Sequence, residues 1–272
     1  MRIVSLLPSA TDIAVALGAS DELVGVSHSC SGNWDHLPKL TSTWIDTKAS
    51  AAEIDRQVTG ASRPLYELDI TTLEQLNADV VISQSLCDVC AVPSGDVREA
   101  VLSLPNKPIL VDLAPNALAD VPECFAQVGE AIDRAAQANQ LIEHWGKSLE
   151  GHRGRHGKSG LRTIFLDWLD PPFVAGHWVP EMVELLGLTS LIGKAGEPSF
   201  KVSWQDIADA QPDLVIVAAC GFDASRAMAD DMPINAPVIH LDGHLHFSRP
   251  SPALIPSLEL LDKAIAEFME LA

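Results

Sequence analysis

The sequence predicts an α/β fold of two parallel-sheet lobes bridged by one long α-helix. Three observations carry this. Short apolar runs bounded by turn residues alternate with helical patterns, as expected of strands buried on both faces between crossover helices. From Asn116 to about Glu150 apolar residues recur at helical spacing (Val121, Phe125, Val128, Ile132, Ala135, Leu141, Ile142, Trp145, Leu149), with no proline beyond Pro122. Finally, Leu76–Cys87 is echoed by Ala210–Cys220: each reads as helix end, tight turn, buried strand, then a cysteine. Two similar lobes follow, an N-terminal one over 1–114 and a C-terminal one over 151–272, with the helix at 115–150 between them.

In order, the strands are expected at Arg2–Ser5, Leu23–Ser27, Asp79–Ser83, Lys107–Asp112, Leu161–Asp167, Asp213–Ala219 and Pro237–Asp242. Helices are expected at Thr11–Leu17, with Ser9 or Thr11 as N-cap, and at Thr71–Leu76, Pro180–Gly187 and Trp204–Ala210, the last capped by Ser203. The long segment, at roughly 30 residues, would be about 45 Å of helix.

Composition bounds the function. The 272 residues carry a formal charge of −19, which excludes an extended nucleic-acid footprint, since phosphate binding needs clustered Lys and Arg. The basic stretch His152–Lys158 reads as a solvated loop. A hydrophobic content of 47% suffices for a buried core. No run approaches the length of a membrane span, so the chain is not expected to be membrane-embedded. Met1–Ala10 has one positive charge and a proline, Pro8, in its apolar stretch, with Asp12 directly after it. It reads as the first strand and turn rather than an export signal. That gives a cytoplasmic expectation, or a periplasmic one had a leader been trimmed. An odd count of five cysteines without framework spacing suits a reducing compartment. The chain is expected to be a monomer and not an enzyme. No Gly-x-Ser-x-Gly elbow or Gly-rich phosphate loop occurs.

The reactive side chains collect just after predicted strands. Open parallel sheets bind ligands beyond the strands' carboxyl ends, so these residues would converge on an inter-lobe cleft. Cys87 and Cys90 have Cys-x-x-Cys spacing, and Cys30 and Cys220 lie on other loops of the same rim. Four thiolates would suit Zn²⁺ or an Fe–S cluster. Equally, they read as free thiols packed like small hydrophobes, or Cys87 and Cys90 as a redox dithiol. His28, His177, His244 and His246 fall on cleft loops as imidazoles able to ligate cobalt or iron, or to pin loops through carbonyls. Trp34, Trp168, Trp178 and Phe222 offer flat faces for a macrocycle. Asp88 could answer a cationic ligand or orient a histidine. Ser9 lies in the Leu7–Thr11 turn, whose amides open a helix and could hold an anionic group.

The plan resembles a known family. The opening Arg2-Ile-Val-Ser-Leu-Leu-Pro-Ser-Ala-Thr-Asp-Ile-Ala-Val-Ala-Leu-Gly18, the Val24-Gly-Val26 strand, the two Asp-containing strands and Phe247-Ser-Arg-Pro-Ser-Pro-Ala-Leu254 are similar to substrate-binding proteins of vitamin B12 and ferric-siderophore ABC transporters. Leu86–Val92 and Trp168–Met182 look like a cysteine-bearing, cobalamin-binding branch. The resemblance implies the class III fold of periplasmic binding proteins, two lobes bridged by a helix. It implies a cobalamin-like corrinoid or an iron chelate as ligand, and an ABC permease as partner. It also implies a docking glutamate on each lobe, where this chain has Thr71 and Gln205. The competing expectation is a metalloprotein, either a metal-holding protein or a metalloenzyme, with Zn or Fe–S on Cys30, Cys87, Cys90 and Cys220.

Overall fold

A computed structural model describes residues 1–30, 32–86, 91–229 and 232–271. In chain order the strands and helices are β1 (Ile3–Ser5), α1 (Pro8–Ala16), β2 (Leu23–Val26), β3 (Thr41–Thr43), α2 (Ala51–Thr59), β4 (Tyr66–Leu68), α3 (Ile70–Leu76), β5 (Val80–Gln84), α4 (Ser94–Ser103), β6 (Ile109–Leu113), α5 (Val121–Ala131) and α6 (Ala135–His152). Then follow β7 (Arg162–Leu169), β8 (Pro172–Val174), α7 (Val179–Leu185), β9 (Thr189–Ser190), β10 (Phe200–Lys201), α8 (Trp204–Asp209), β11 (Leu214–Val217), α9 (Ala224–Ala227), β12 (Val238–His240) and α10 (Leu254–Leu271).

The described chain divides into two compact units. Unit 1 holds Met1–Asp46, Gln57–Pro115 and Val121–His144; unit 2 holds Thr47–Arg56, Asn116–Asp120 and Trp145–Ala272. Among the described residues, unit 1 has an all-parallel sheet in the order β2-β1-β5-β6 and a β3-β4 antiparallel pair. Its central strands are fully buried, which explains their unbroken apolar sequence. In unit 2, β7, β11 and β12 run parallel, and β9 pairs with β7 in the same sense. On the side of β7 away from β11, β8 and β10 add antiparallel strands. Ile164, Leu166, Val215, Val217 and Ile207 form its core together with Ala51 from α2.

The internal echo extends to a shared polar clasp. In unit 1 the Arg2 amide donates to Asp79 Oδ2 (2.7 Å) and Arg2 Nε to the Leu76 carbonyl (2.8 Å). In unit 2 the Arg162 amide donates to Asp213 Oδ2 (2.8 Å), while its guanidinium reaches the Ala210 (2.8 Å) and Gln211 (3.1 Å) carbonyls. Arg2 stands just before β1 and Arg162 opens β7, and each guanidine group satisfies carbonyls left free at the end of the helix before the paired strand.

Two sequence expectations are corrected here. The long helix is two helices, α5 and α6. α5 closes with bonds from Arg134 N–H to the Gly129 carbonyl (2.6 Å) and from Asp133 N–H to Glu130 (3.4 Å). Asp133 takes the left-handed conformation (φ 55°), so this is a Schellman stop. A Cβ on Gly129 would sit 2.5 Å from that of Ala138, so only glycine lets α6 turn back this closely. Likewise, neither Ser9 nor Thr11 caps α1. Leu7 is the N-cap residue and makes no side-chain cap bond, Pro8 fills the first helical turn, and both hydroxyl residues are buried within the helix.

Candidate functional site

The loop that leaves β2 builds the unit 1 rim. His28 is half-buried, its Nδ1 2.7 Å from Thr41 Oγ1 and its ring 5.7 Å from that of Tyr66. Burial foremost, with the charge of Lys39 second, lowers its pKa and keeps the imidazole neutral. Lys39 Nζ ties the loop together by donating to the carbonyls of Cys30 (2.5 Å) and Trp34 (3.1 Å). Trp34 is half-buried on this loop. Ser9 is 3% exposed, which removes it from a surface that could meet a ligand.

In unit 2 the β7–β8 hairpin carries half-buried Trp168, whose ring meets Phe222 edge-on at 5.1 Å. Phe222 is corrected from a stacking face to a core residue. It is 2% exposed, and the Arg226 guanidinium covers its ring at 3.5 Å. Arg226 is fixed in turn by the Ala49 carbonyl at 2.5 Å. His244 is exposed beyond β12, its amide held by Asp242 Oδ1 (2.8 Å) and the Phe222 carbonyl (3.0 Å). His246 is half-buried with Nδ1 3.0 Å from Ser257 Oγ, a loop-pinning role.

His177 and Trp178 do not follow a parallel strand. Antiparallel β8 turns the chain back, so that Ala175 N–H bonds the Phe165 carbonyl (2.8 Å) midway along β7. The strand therefore does not deliver them to the carboxyl-end rim. Trp178 is 4% exposed and donates Nε1–H to the Phe247 carbonyl (2.6 Å), which makes it core. His177, at φ 51°, stacks on it at 5.5 Å. Burial lowers the His177 pKa against an opposing hydrogen bond to the Asn116 backbone.

The thiolate-metal expectation finds no support. Cys30 is 4% exposed, 3.3 Å from Thr11 Oγ1, and burial raises its thiol pKa. Cys220 is exposed. Cys87, Asp88 and Cys90 lie outside the described residues. No group of three or more His, Cys, Asp or Glu suited to a metal ion occurs among the described residues. Sequence reading passed over Ser27, Lys39, Thr41, Tyr66 and Arg226. Lys39 and Arg226 were legible as rare cations beside the rim loops, but the hydroxyls carry no sequence signal apart from the fold.

Thr71 and Gln205 occupy the same place in α3 and α8, two residues after the N-caps Asp69 and Ser203, and both are exposed. Of the neighbouring acids, Glu74 is exposed on α3. Asp206 is taken up in a capping box with Ser203, whose hydrogen bonds lower its pKa.

The family model for periplasmic binding proteins matches residues 3–237. The chain belongs to the periplasmic binding protein family. This upholds the resemblance drawn from the opening segment, and makes the chain a binding protein rather than an enzyme. It also corrects the cytoplasmic expectation, because the family and its relatives are periplasmic. A vitamin B12-binding protein of Pectobacterium atrosepticum is 22% identical, over 98% of this chain and 88% of the relative. Among solved structures, the periplasmic vitamin B12 binding protein of Vibrio cholerae superposes with a TM-score of 0.68 at 18% identity, covering 97% of this chain and 96% of the other. The apo periplasmic heme-binding protein of Roseiflexus sp. RS-1 gives 0.70 at 19% identity, covering 98% of each chain. As in this family, the fold is α/β with parallel sheets. No helix among the described residues is long and apolar enough to cross a membrane.

The histidines make stability depend on pH. Burial is the leading cause that lowers the pKa of His28, His177 and His240 from 6.5. The unfolded chain takes up these protons first, so stability is present above 6.5 and is lost as pH falls through the folded values. Glu181 acts in the opposite sense and at lower pH, since burial first raises its pKa from 4.5. Urea midpoints should therefore fall between about pH 7 and 5.5; a flat or rising profile would refute this.

Proposed function

We propose that this periplasmic binding protein takes up a cobalamin-like corrinoid, or a related iron chelate, and hands it to an ABC importer. The carrying observation is the match of vitamin B12-binding relatives over nearly the whole chain. The rim chemistry supports it. Each unit carries a half-buried indole, Trp34 on the β2 loop of unit 1 and Trp168 at the hairpin of unit 2, and an indole face suits a broad flat ligand. Within α3, Glu74 remains as the acid available to a permease arginine.

The test is titration of the apo protein with cyanocobalamin, aquacobalamin and ferric haem in turn, followed by tryptophan fluorescence and ligand absorption. Saturable quenching by a corrinoid is expected, and Trp168→Ala should weaken it about tenfold, the equivalent of roughly 1.4 kcal/mol. Quenching by haem alone would replace the corrinoid with the iron chelate. No uptake of any of the three would remove the proposal.

A further inference from the structure

The hydrogen bonds behind His28 determine which of its ring nitrogens faces a ligand. Thr41 Oγ1 has three polar neighbours: the His28 amide (3.1 Å), Ser27 Oγ (3.0 Å) and His28 Nδ1 (2.7 Å). Ser27 Oγ has two, Thr41 Oγ1 and the Ser29 amide (3.2 Å). Both amides can only donate. Among these partners, then, the Ser27 hydroxyl hydrogen has a single acceptor, Thr41 Oγ1. Ser27 is 3% exposed and Thr41 5%, so a hydroxyl left without a partner there would cost about 1–3 kcal/mol. If Ser27 donates to Thr41, Thr41 already accepts twice, and its own hydrogen goes to His28 Nδ1.

We infer that His28 carries its proton on Nε2 and meets the ligand as a hydrogen-bond donor to an oxygen acceptor, a carboxamide or carboxylate on the chelate's periphery, rather than as an axial ligand to its metal. The opposite tautomer would place N–H on Nδ1, turn Thr41 toward Ser27 and strand the Ser27 hydrogen in the interior. Ser29 Oγ stands 3.3 Å from Nε2. That contact is long and exposed, and a ligand oxygen can take its place. Burial and the Lys39 charge lower the ring's pKa, so it carries one proton, and the hydroxyl network decides which nitrogen holds it.

The ligand part of this inference rests on the proposed function, whereas the tautomer does not. Long-range proton–nitrogen NMR correlations of ¹⁵N-histidine-labelled apo protein above neutral pH should show His28 Nε2 protonated and Nδ1 as the acceptor. Thr41→Val, which removes the donor, should deplete that form. A protonated Nδ1 in the wild type would overturn the inference. In the ligand arm, His28→Ala should weaken uptake about tenfold, and His28→Gln, which retains an N–H, should recover most of it. The metal-centred absorption bands of bound aquacobalamin or ferric haem should be the same in wild type and His28→Ala. Bands that shift in His28→Ala would establish axial ligation and overturn the donor role. Response to the cobalamins separates carboxamide acceptors from the carboxylates of haem. A wild type that takes up neither chelate would overturn the proposed function and this contact together, leaving the tautomer to be decided by NMR alone.

Discussion

Gly243→Ala should destabilise unit 2 by about 3 kcal/mol and impair ligand uptake at the same time. A Cβ at this position would lie 2.2 Å from the Ala219 carbonyl oxygen and 2.5 Å from the Ala218 carbonyl carbon. These are backbone atoms at the end of β11, so no side chain can swing aside and the β12 loop itself must move. That loop is fastened by the Gly243 amide to the Phe222 carbonyl (2.9 Å), and the next residue is His244. Displacing it therefore disturbs the rim and the fold in one step. Thermal melting with and without chelate checks this: a midpoint within a degree or so of wild type would show that the backbone yields freely, against the packing argument.

Phe125→Ala should cost about 3–5 kcal/mol, the larger of the two effects. Phe125 lies on α5 and is fully buried. α5 packs on α1 and β6 within unit 1. Truncation removes a whole aromatic ring, so the loss of transfer energy is compounded by the cavity it leaves. Urea denaturation read by circular dichroism should show an earlier first transition. A loss below about 1 kcal/mol would mean that α1 and α5 close over the gap.

What the sequence disclosed follows from burial. Each of the seven expected strands is present, as β1, β2, β5, β6, β7, β11 and β12. Unbroken apolar runs mark the strands that are buried on both faces, as β1, β5 and β11 are. β3, β4, β8, β9 and β10 are two or three residues long, and several of their positions are open to solvent, so no apolar period marks them. The break between α5 and α6 was hidden because Ile132 and Ala135 continue the helical spacing straight across Asp133, whose left-handed backbone leaves no trace in hydrophobicity. At the candidate site, reading every strand as parallel sent His177 and Trp178 to a rim that the β7–β8 hairpin turns them away from. His28 was legible as a residue of the loop after β2. Its tautomer was not, because it depends on hydroxyls fourteen residues apart in sequence, Ser27 and Thr41.

The paired clasps of Arg2 with Asp79 and Arg162 with Asp213 bear on how such a chain can change over time. Both lie at the amino ends of their strands, opposite the loops expected to touch ligand, and both fix the alignment of a central strand with its neighbour. Substitutions, insertions or deletions in the loops at the far end then leave strand alignment untouched. A scaffold anchored in this way, twice over, leaves its far loops free to vary.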